Sequence, residues 1–368
     1  MASHVQVQST ATEVEEEGGR WSQLPLDLME TLLKCLSISD RICVTAVCKP
    51  WQSVTSTLGF LEAARPPWLI ASTFYNWPWS LKTVVGEPVS DIKFLDNLQN
   101  KWLCGSSTGW LLISWRKHNH DCLHICLLNP ITGAKVELFT CFANIANGIL
   151  SASPLTKDYM FAATGYTKYH RRKVAIVRTT MGDYRSLEAL NPMNIYFHGG
   201  RLYVLTQSWE VIVYEFDPDP VMLSTIRVPL RKEHDCWYDG QLAELNDDIL
   251  IIAYGLHLCQ EFDIKVFKLP EMADDPVVQV NSLGGGTLLI SQFSEAVSTK
   301  GSAAFREDCI YGFSKCSRET MMAYSMKDEG MFELAGIGLR HQTLAWFTPD
   351  LSKMETSNIE TPAMNLEA

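Results

Sequence analysis

The sequence predicts an α+β multidomain chain: a small three-helix segment at residues 21–65, then an all-β propeller of about six blades over residues 66–349. Three observations carry that expectation. Apolar residues at helical spacing are confined to Trp21–Ser56, between prolines that suit first helical turns. Beyond Arg65-Pro66-Pro67 short β-branched and aromatic runs replace helical periodicity. Those runs recur with their turns every 40 to 50 residues or so, roughly the length of a four-stranded blade.

The helical segment reads WSQLPLDLMETLLKCLSISDRICVTAVCKPWQSVTS. Pro25 and Pro50 can each open a helix, because the N–H they lack would have no intrahelical partner there, and Ser39 is suited to cap the helix between them. On a helical wheel Leu26, Leu28, Met29, Leu32, Leu33, Cys35 and Leu36 spread over roughly 180°, wider than the roughly 100° that faces a single core. Ile42, Cys43, Val44, Ala46, Val47 and Cys48 spread wider still. A unit of about 40 residues cannot bury both flanks by itself, so the second flank calls for a partner.

In the propeller region Ser107-Thr108-Gly109 leads into Trp110–Ile113, and Thr156-Lys157-Asp158 into Tyr159–Ala163. His198-Gly199-Gly200-Arg201 leads into Leu202–Leu205, Asn246-Asp247-Asp248 into Ile249–Ile252, and Gly284-Gly285-Gly286-Thr287 into Leu288–Ile290. Following strands are expected at 123–128, 173–178, 210–216 and 263–269. The strand at Ile310-Tyr311 comes too soon after 288 for the period. A mean spacing of about 44 over the roughly 284 residues from Pro66 to Pro349 gives about six blades. Closure calls for Trp68–Ala71 to pair with Leu344–Phe347, removing open edges.

Two resemblances follow from these residues. Leu24-Pro25, then Leu28, Leu32-Leu33 and Leu36, then Val47-Cys48 and Trp51, resemble the F-box, by which substrate receptors of cullin-RING ubiquitin ligases grip a small Skp-family adaptor. Trp68-Leu69-Ile70, Gly109–Leu112, Leu128-Asn129-Pro130-Ile131-Thr132-Gly133, Gly200–Tyr203 and Cys309–Tyr311 resemble the C-terminal F-box-associated domain of plant F-box proteins, related to kelch-type propellers. Together they imply a non-catalytic substrate-recognition subunit of an SCF-type ligase, with the propeller binding the protein to be ubiquitylated. Adaptor contact is then expected from Leu24, Pro25, Leu28, Leu32, Leu33, Leu36, Ile42, Val44, Val47, Cys48 and Trp51. The alternative is a propeller enzyme or small-molecule binder in which the helices are only structural.

For target contact the candidates are the aromatic loop around Trp77 and Trp79 and the basic group Lys168, Arg171 and Arg172, since loop aromatics anchor interfaces and rim charges steer encounter. His118, His120, Cys122, His124 and Cys126 alternate so as to share a strand face, but one strand rarely closes a metal tetrahedron; they read as a hairpin tip and its outgoing strand, and no metal or other cofactor is expected. Gly284-Gly285-Gly286 lacks the Lys and Ser/Thr of a phosphate loop and reads as a turn.

Acidic residues outnumber basic ones 42 to 31, so neither nucleic acid nor an anionic membrane is an expected partner. Residues 1–20 read as a disordered acidic tail and residues 350–368 as a disordered tail, and there is no run of 18 apolar residues to form a spanning helix. Eleven scattered cysteines point to a reducing compartment, nucleus or cytoplasm.

Overall fold

The computed structural model describes residues 21–36, 40, 44 and 47–57, and between 67 and 348 the strands with most of the turns joining them. The chain divides into two compact units, Met1–Ala64 and Arg65–Ala368.

In the first unit α1 spans Leu26–Cys35 and α2 spans Lys49–Thr57. Pro25 stands at the N-cap of α1, where its carbonyl accepts from Met29 N at 3.0 Å, and Asp27 lies in the first turn, where a negative charge complements the helix dipole. Met29, Leu33 and Val44 form a small core, with Leu24, Leu36, Trp51 and Val54 packed round it. Trp51 Nε1 donates to Trp21 O at 2.7 Å, tying α2 to the start of the segment. The expected three-helix arrangement is corrected to two helices among the described residues. The middle helix that Ser39 would cap falls where most residues, Ser39 and Ile42 among them, lie outside the described residues; Asp40 and Val44 are helical.

The second unit is a ring of sheets. The strands β1 (Trp68–Thr73) and β2 (Ser80–Lys82) belong with the last strand of the chain. Next come β3 (Trp102–Ser107), β4 (Trp110–Trp115), β5 (His124–Leu128) and β6 (Lys135–Phe139), paired in that order. The strands β7 (Asn144–Leu150), β8 (Met160–Tyr166), β9 (Arg172–Arg178) and β10 (Asp183–Leu187) repeat the pattern. So do β11 (Pro192–His198), β12 (Arg201–Thr206), β13 (Glu210–Phe216) and β14 (Pro220–Arg227), and β15 (Cys236–Leu245), β16 (Asp248–Leu256), β17 (Phe262–Lys268) and β18 (Val278–Val280). A five-stranded sheet holds β19 (Gly286–Leu289), β20 (Val297–Lys300), β21 (Cys309–Phe313), β22 (Met321–Ser325) and β23 (Gly330–Glu333) in the order β20-β19-β21-β22-β23. Finally β24 (Gln342–Phe347) pairs antiparallel with β1, with Trp68 opposite Phe347 and Ala71 opposite Leu344.

The expectation of about six blades is corrected by this topology. Five sheets have the four or five strands of a full blade; β2-β1-β24, built from the two ends of the region, is a three-stranded closing sheet among the described residues. The short interval before Ile310 has its explanation in the fifth blade. There β19 and β21 are parallel neighbours in one sheet, and β20, between them in sequence, goes to the other side of β19. A spacing of 22 residues therefore measures a step within one blade rather than a step between two.

The recurring unit of the sequence is the hairpin between the first and second strands. Its two central residues have positive φ at Thr108-Gly109 (49° and 78°), Gly199-Gly200 (55° and 75°) and Asn246-Asp247 (53° and 65°), the conformation whose twist matches that of the flanking strands. The second strand of the first blade is deeply buried: in β4, Trp110 to Ile113 are all at or near zero exposure. The first strands line the inside of the ring, where β3 lies beside β7, β7 beside β11 and β11 beside β15, with β24 next to β3 and β20 next to β15. Trp346 Nε1 donates to Ile290 O at 3.1 Å, joining the closing sheet to the fifth blade.

Four of these inner strands change register near the same point, at Leu103/Gly105, Ile145/Asn147, Pro192/Asn194 and Trp237/Asp239, which sharpens their twist where backbones converge. At that convergence a Cβ on Gly105 would lie 2.6 Å from Gly148 O, so β3 and β7 can meet there only because position 105 has no side chain.

Candidate functional site

Two places in the molecule carry arrangements that a packed core does not require. In the helical unit, Leu33 and Val44 are buried and Met29 is 1% exposed, whereas Leu28 is 51% exposed, Leu32 43% and Val47 61%. Leu26 and Trp21 are also open to solvent. Leu28 and Leu32 stand one helical turn apart and share a stripe that the unit's own core leaves uncovered. Of the other adaptor-contact candidates, Pro25 is exposed, Leu24, Leu36, Cys48 and Trp51 are half-buried, and Ile42 lies outside the described residues. The sequence mixes both groups on the wheels of the first and middle helices; the structure separates Leu33 and Val44, which are buried, from Leu28, Leu32 and Val47, which are exposed.

The second arrangement lies where inner strands end. Glu295, two residues before β20, donates its N–H to Ser106 O at 2.9 Å, and its Oε2 accepts from Ser107 Oγ at 2.9 Å. Ser107 Oγ also accepts from Leu150 N of the neighbouring blade at 3.0 Å. On β11 and β15, His198 Nδ1 lies 2.9 Å from Glu244 Oε2, and Tyr196 OH donates to the same oxygen at 3.4 Å. Burial pushes the Glu295 carboxyl up to about 7, against the hydrogen bonds from Ser107 and the Thr108 N–H and with the help of the Glu244 charge. Burial, and then the charges of Glu295 and Glu244, push the Tyr196 phenol far above its usual range. None of these residues stands out in the sequence by type. A positional signal was present: Ser107 and His198 are the last strand residues before the recurring turn, and Glu244 lies one residue further back.

The remaining sequence candidates are dispersed. Trp79 is buried at 6% exposure, and Trp77 lies outside the described residues. Arg171 is exposed and Lys168 lies outside the described residues. Arg172 is half-buried on β9: its Nη2 donates to Met193 O at 3.3 Å and its guanidinium sits 5.8 Å from the Tyr166 ring centre, so it ties two blades together. Burial lowers its pKa. His124 stacks on Trp115 at 5.6 Å, Cys126 is buried, and His118, His120 and Cys122 lie outside the described residues. No group of three metal-ligating side chains occurs among the described residues. Gly284 and Gly285 form a turn at φ 62° and 77°. The Asn129–Gly133 turn closes with Gly133 N donating to Asn129 O at 2.9 Å.

Comparison with known proteins accounts for both units. Residues 21–62 match the F-box domain, and residues 80–333, more than half of the chain, match the family described as the KIB1-4 beta-propeller. The chain belongs to the KIB1-4 β-propeller family. An F-box/kelch-repeat protein of Arabidopsis thaliana is 25% identical to this member over 89% of its length and 91% of the relative's. A second Arabidopsis thaliana F-box protein is 22% identical over 84% and 86%. Among solved structures, the BBS1 N-terminal domain in complex with ARL6 aligns with 73% of this chain and 74% of that chain, at 13% identity and a TM-score of 0.38. An F-box domain followed by a KIB1-4 propeller is consistent with a substrate-recognition subunit of an SCF-type ubiquitin ligase. No helix among the described residues is long and apolar enough to cross a membrane.

Proposed function

We propose that this chain is a non-catalytic receptor that uses Leu28, Leu32 and Val47 to dock a Skp-family adaptor and uses its propeller to present a target protein to the ligase. The observation that carries the reading is the outward-facing apolar stripe on a helical unit that matches the F-box. Three large apolar side chains left in water on so small a unit are costly unless a partner covers them, and each is worth about 1.5 to 3 kcal/mol when fully buried. Leu24, Pro25, Leu36, Cys48 and Trp51, half-buried or exposed, would extend the contact. Leu33 and Val44 act from beneath, by holding α1 in place.

Target capture falls to the propeller, whose sheets form a rigid scaffold from which interblade loops can present recognition side chains. Arg171 is the described exposed cation of the basic cluster and would steer an acidic target, as rim charges do. Buried free thiols at Cys104, Cys126 and Cys309 support residence in a reducing compartment, the nucleus or cytoplasm. The test is co-precipitation of the full chain with purified adaptor, followed by reconstitution with a cullin-RING module and proximity labelling of its targets. Capture of the adaptor by the wild type and its loss on changing Leu28 and Leu32 are the expected results; a folded wild-type chain that captures no adaptor would refute the reading.

A further inference from the structure

We propose that the rim joining the first three blades (β3–β6, β7–β10 and β11–β14), at the end of the propeller away from the recurring hairpins, docks an extended peptide segment rich in aspartate and glutamate. Arg116, Arg171 and Arg172 take its carboxylates, and Trp102 and Tyr166 take its aliphatic stems. Such a segment belongs to the target that the receptor reading gives to the propeller, and the assignment rests on that reading. A chain of contacts makes these residues one surface. Arg116, the residue after β4, reaches the second blade, where its Nη2 donates to Ala143 O. Ala143 N donates at 2.8 Å to the carbonyl of Tyr166, the last residue of β8. The Tyr166 ring centre sits 5.8 Å from the Arg172 guanidinium, whose Nη2 donates to Met193 O of the third blade at 3.3 Å. Arg171 is exposed and closes the β8–β9 turn, its carbonyl accepting from Thr167 N at 2.9 Å. Trp102 lies opposite Ser114, and so shares a side of the first blade with Leu112, which packs with Phe161 and Ala163 of the second.

The rim differs from the rest of the propeller in carrying charge without a counter-ion. Elsewhere Arg178, Arg185, Arg201, Arg227 and Lys268 each have a carboxylate within 3.6 Å. Arg116, Arg171 and Arg172 have none among the described residues. The strand β9 carries both kinds: Arg178, at its far end, is 3.3 Å from Asp158 and stands opposite Asp183, whereas Arg172, at its near end, is bonded to a backbone oxygen. Glu137, the described carboxylate of the first blade, lies on its outermost strand opposite Cys126. A carbonyl oxygen aims a guanidinium without cancelling its charge, and the planar fork of N–H donors still matches a carboxylate. Arg172 is also held partly out of water, with its Nε buried and unpartnered, so a carboxylate at its guanidinium replaces solvation that the fold removes. Trp102 and Tyr166 stand 38% and 39% exposed beside these charges, and aromatic faces of this kind anchor peptide side chains. The chain as a whole has a net charge of -11, so an anion is drawn here by the local group alone. A long nucleic acid meets the opposing net charge beyond the rim, which a short acidic peptide avoids.

Fluorescence anisotropy with the full chain and a labelled poly-glutamate peptide tests the rim. Wild type should bind poly-glutamate but not poly-glutamine, with an affinity that falls as salt is added. Arg116→Ala and Arg171→Ala should each weaken binding by about two- to fivefold, and the two together by about tenfold. Tyr166→Ala should weaken it by about fivefold or more. Arg201→Ala removes an arginine already paired with Glu215 and should leave binding within about twofold of wild type. Failure of wild type to bind poly-glutamate, unchanged binding by the double variant, or an equal loss in Arg201→Ala would each overturn the proposal. Tighter binding of a single-stranded oligonucleotide of the same length would also overturn it, by making the rim a nucleic-acid platform. Should the Arg116 variants fail to fold, Arg171→Ala and Tyr166→Ala decide in their place. Adaptor capture by the same preparations separates this outcome from that of the receptor reading. Wild type that captures adaptor but not poly-glutamate refutes the rim alone, and wild type that binds poly-glutamate but not adaptor refutes the receptor reading while the rim stands.

Discussion

Replacing Leu28 and Leu32 together by alanine separates docking from folding, because both side chains stand outside the small core that holds α1. At 51% and 43% exposure, each has about half a leucine side chain left for a partner to cover. Full burial of a leucine is worth about 1.5 to 3 kcal/mol, so each contributes about 1 kcal/mol to docking. The pair then accounts for about 2 kcal/mol, a loss of about thirtyfold in affinity. Isothermal titration of the purified adaptor into wild type and double variant measures this, with circular dichroism melts confirming that both chains are folded. Leu33→Ala is the contrasting change: at 1% exposure its cost of about 2 to 5 kcal/mol falls on the stability of the helical unit. A double variant that stays folded and binds within about threefold of wild type would show that the exposed stripe is not the docking face.

Other consequences of the structure can be checked as directly. Trp346→Ala removes a fully buried indole and its bond to Ile290 O from the closing sheet, so urea denaturation should show a loss of about 3 to 5 kcal/mol. Gly105→Ala should cost about 1 to 3 kcal/mol, since the new methyl would meet a backbone oxygen of β7; the same change at Gly199, where nothing lies within 4 Å, should cost less and act only through its positive φ. Because the Glu295 carboxyl is held up at about 7, its stabilising share is complete below its ordinary value of 4.5 and is lost as the pH rises through 7. Thermal melts should accordingly show Glu295→Gln gaining on wild type as the pH rises from about 5 to about 8, and equal differences at both ends would contradict the sign. A truncated chain beginning at Pro66 should fold as a monomer in sedimentation, because β1 and β24 close the ring without the helices.

What could be read along the chain was whatever a few neighbouring residues decide. Thr108-Gly109, Gly199-Gly200 and Asn246-Asp247 mark hairpins because positive φ is a local demand, and the second strands after them are legible because they are apolar on both faces. The terminal pairing of Trp68 with Phe347 followed from the need to hide two open edges. The inner strands were not legible in the same way. In β3, β7 and β15, the runs Cys104-Gly105-Ser106-Ser107, Ala146-Asn147-Gly148 and Asp239-Gly240-Gln241 have the composition of loops, and they become strands only because the ring crowds their backbones together. The helical leucines show the same division: the wheel indicates that there are two apolar flanks, but only packing assigns Leu33 to the inside and Leu28 to the outside. Tertiary structure alone decided the passage of β20 to the far side of β19 and the meeting of Glu295 with Ser107. Contacts between residues so far apart leave no periodic trace, since their strength depends on how other sheets exclude water and not on the residues beside them in the chain.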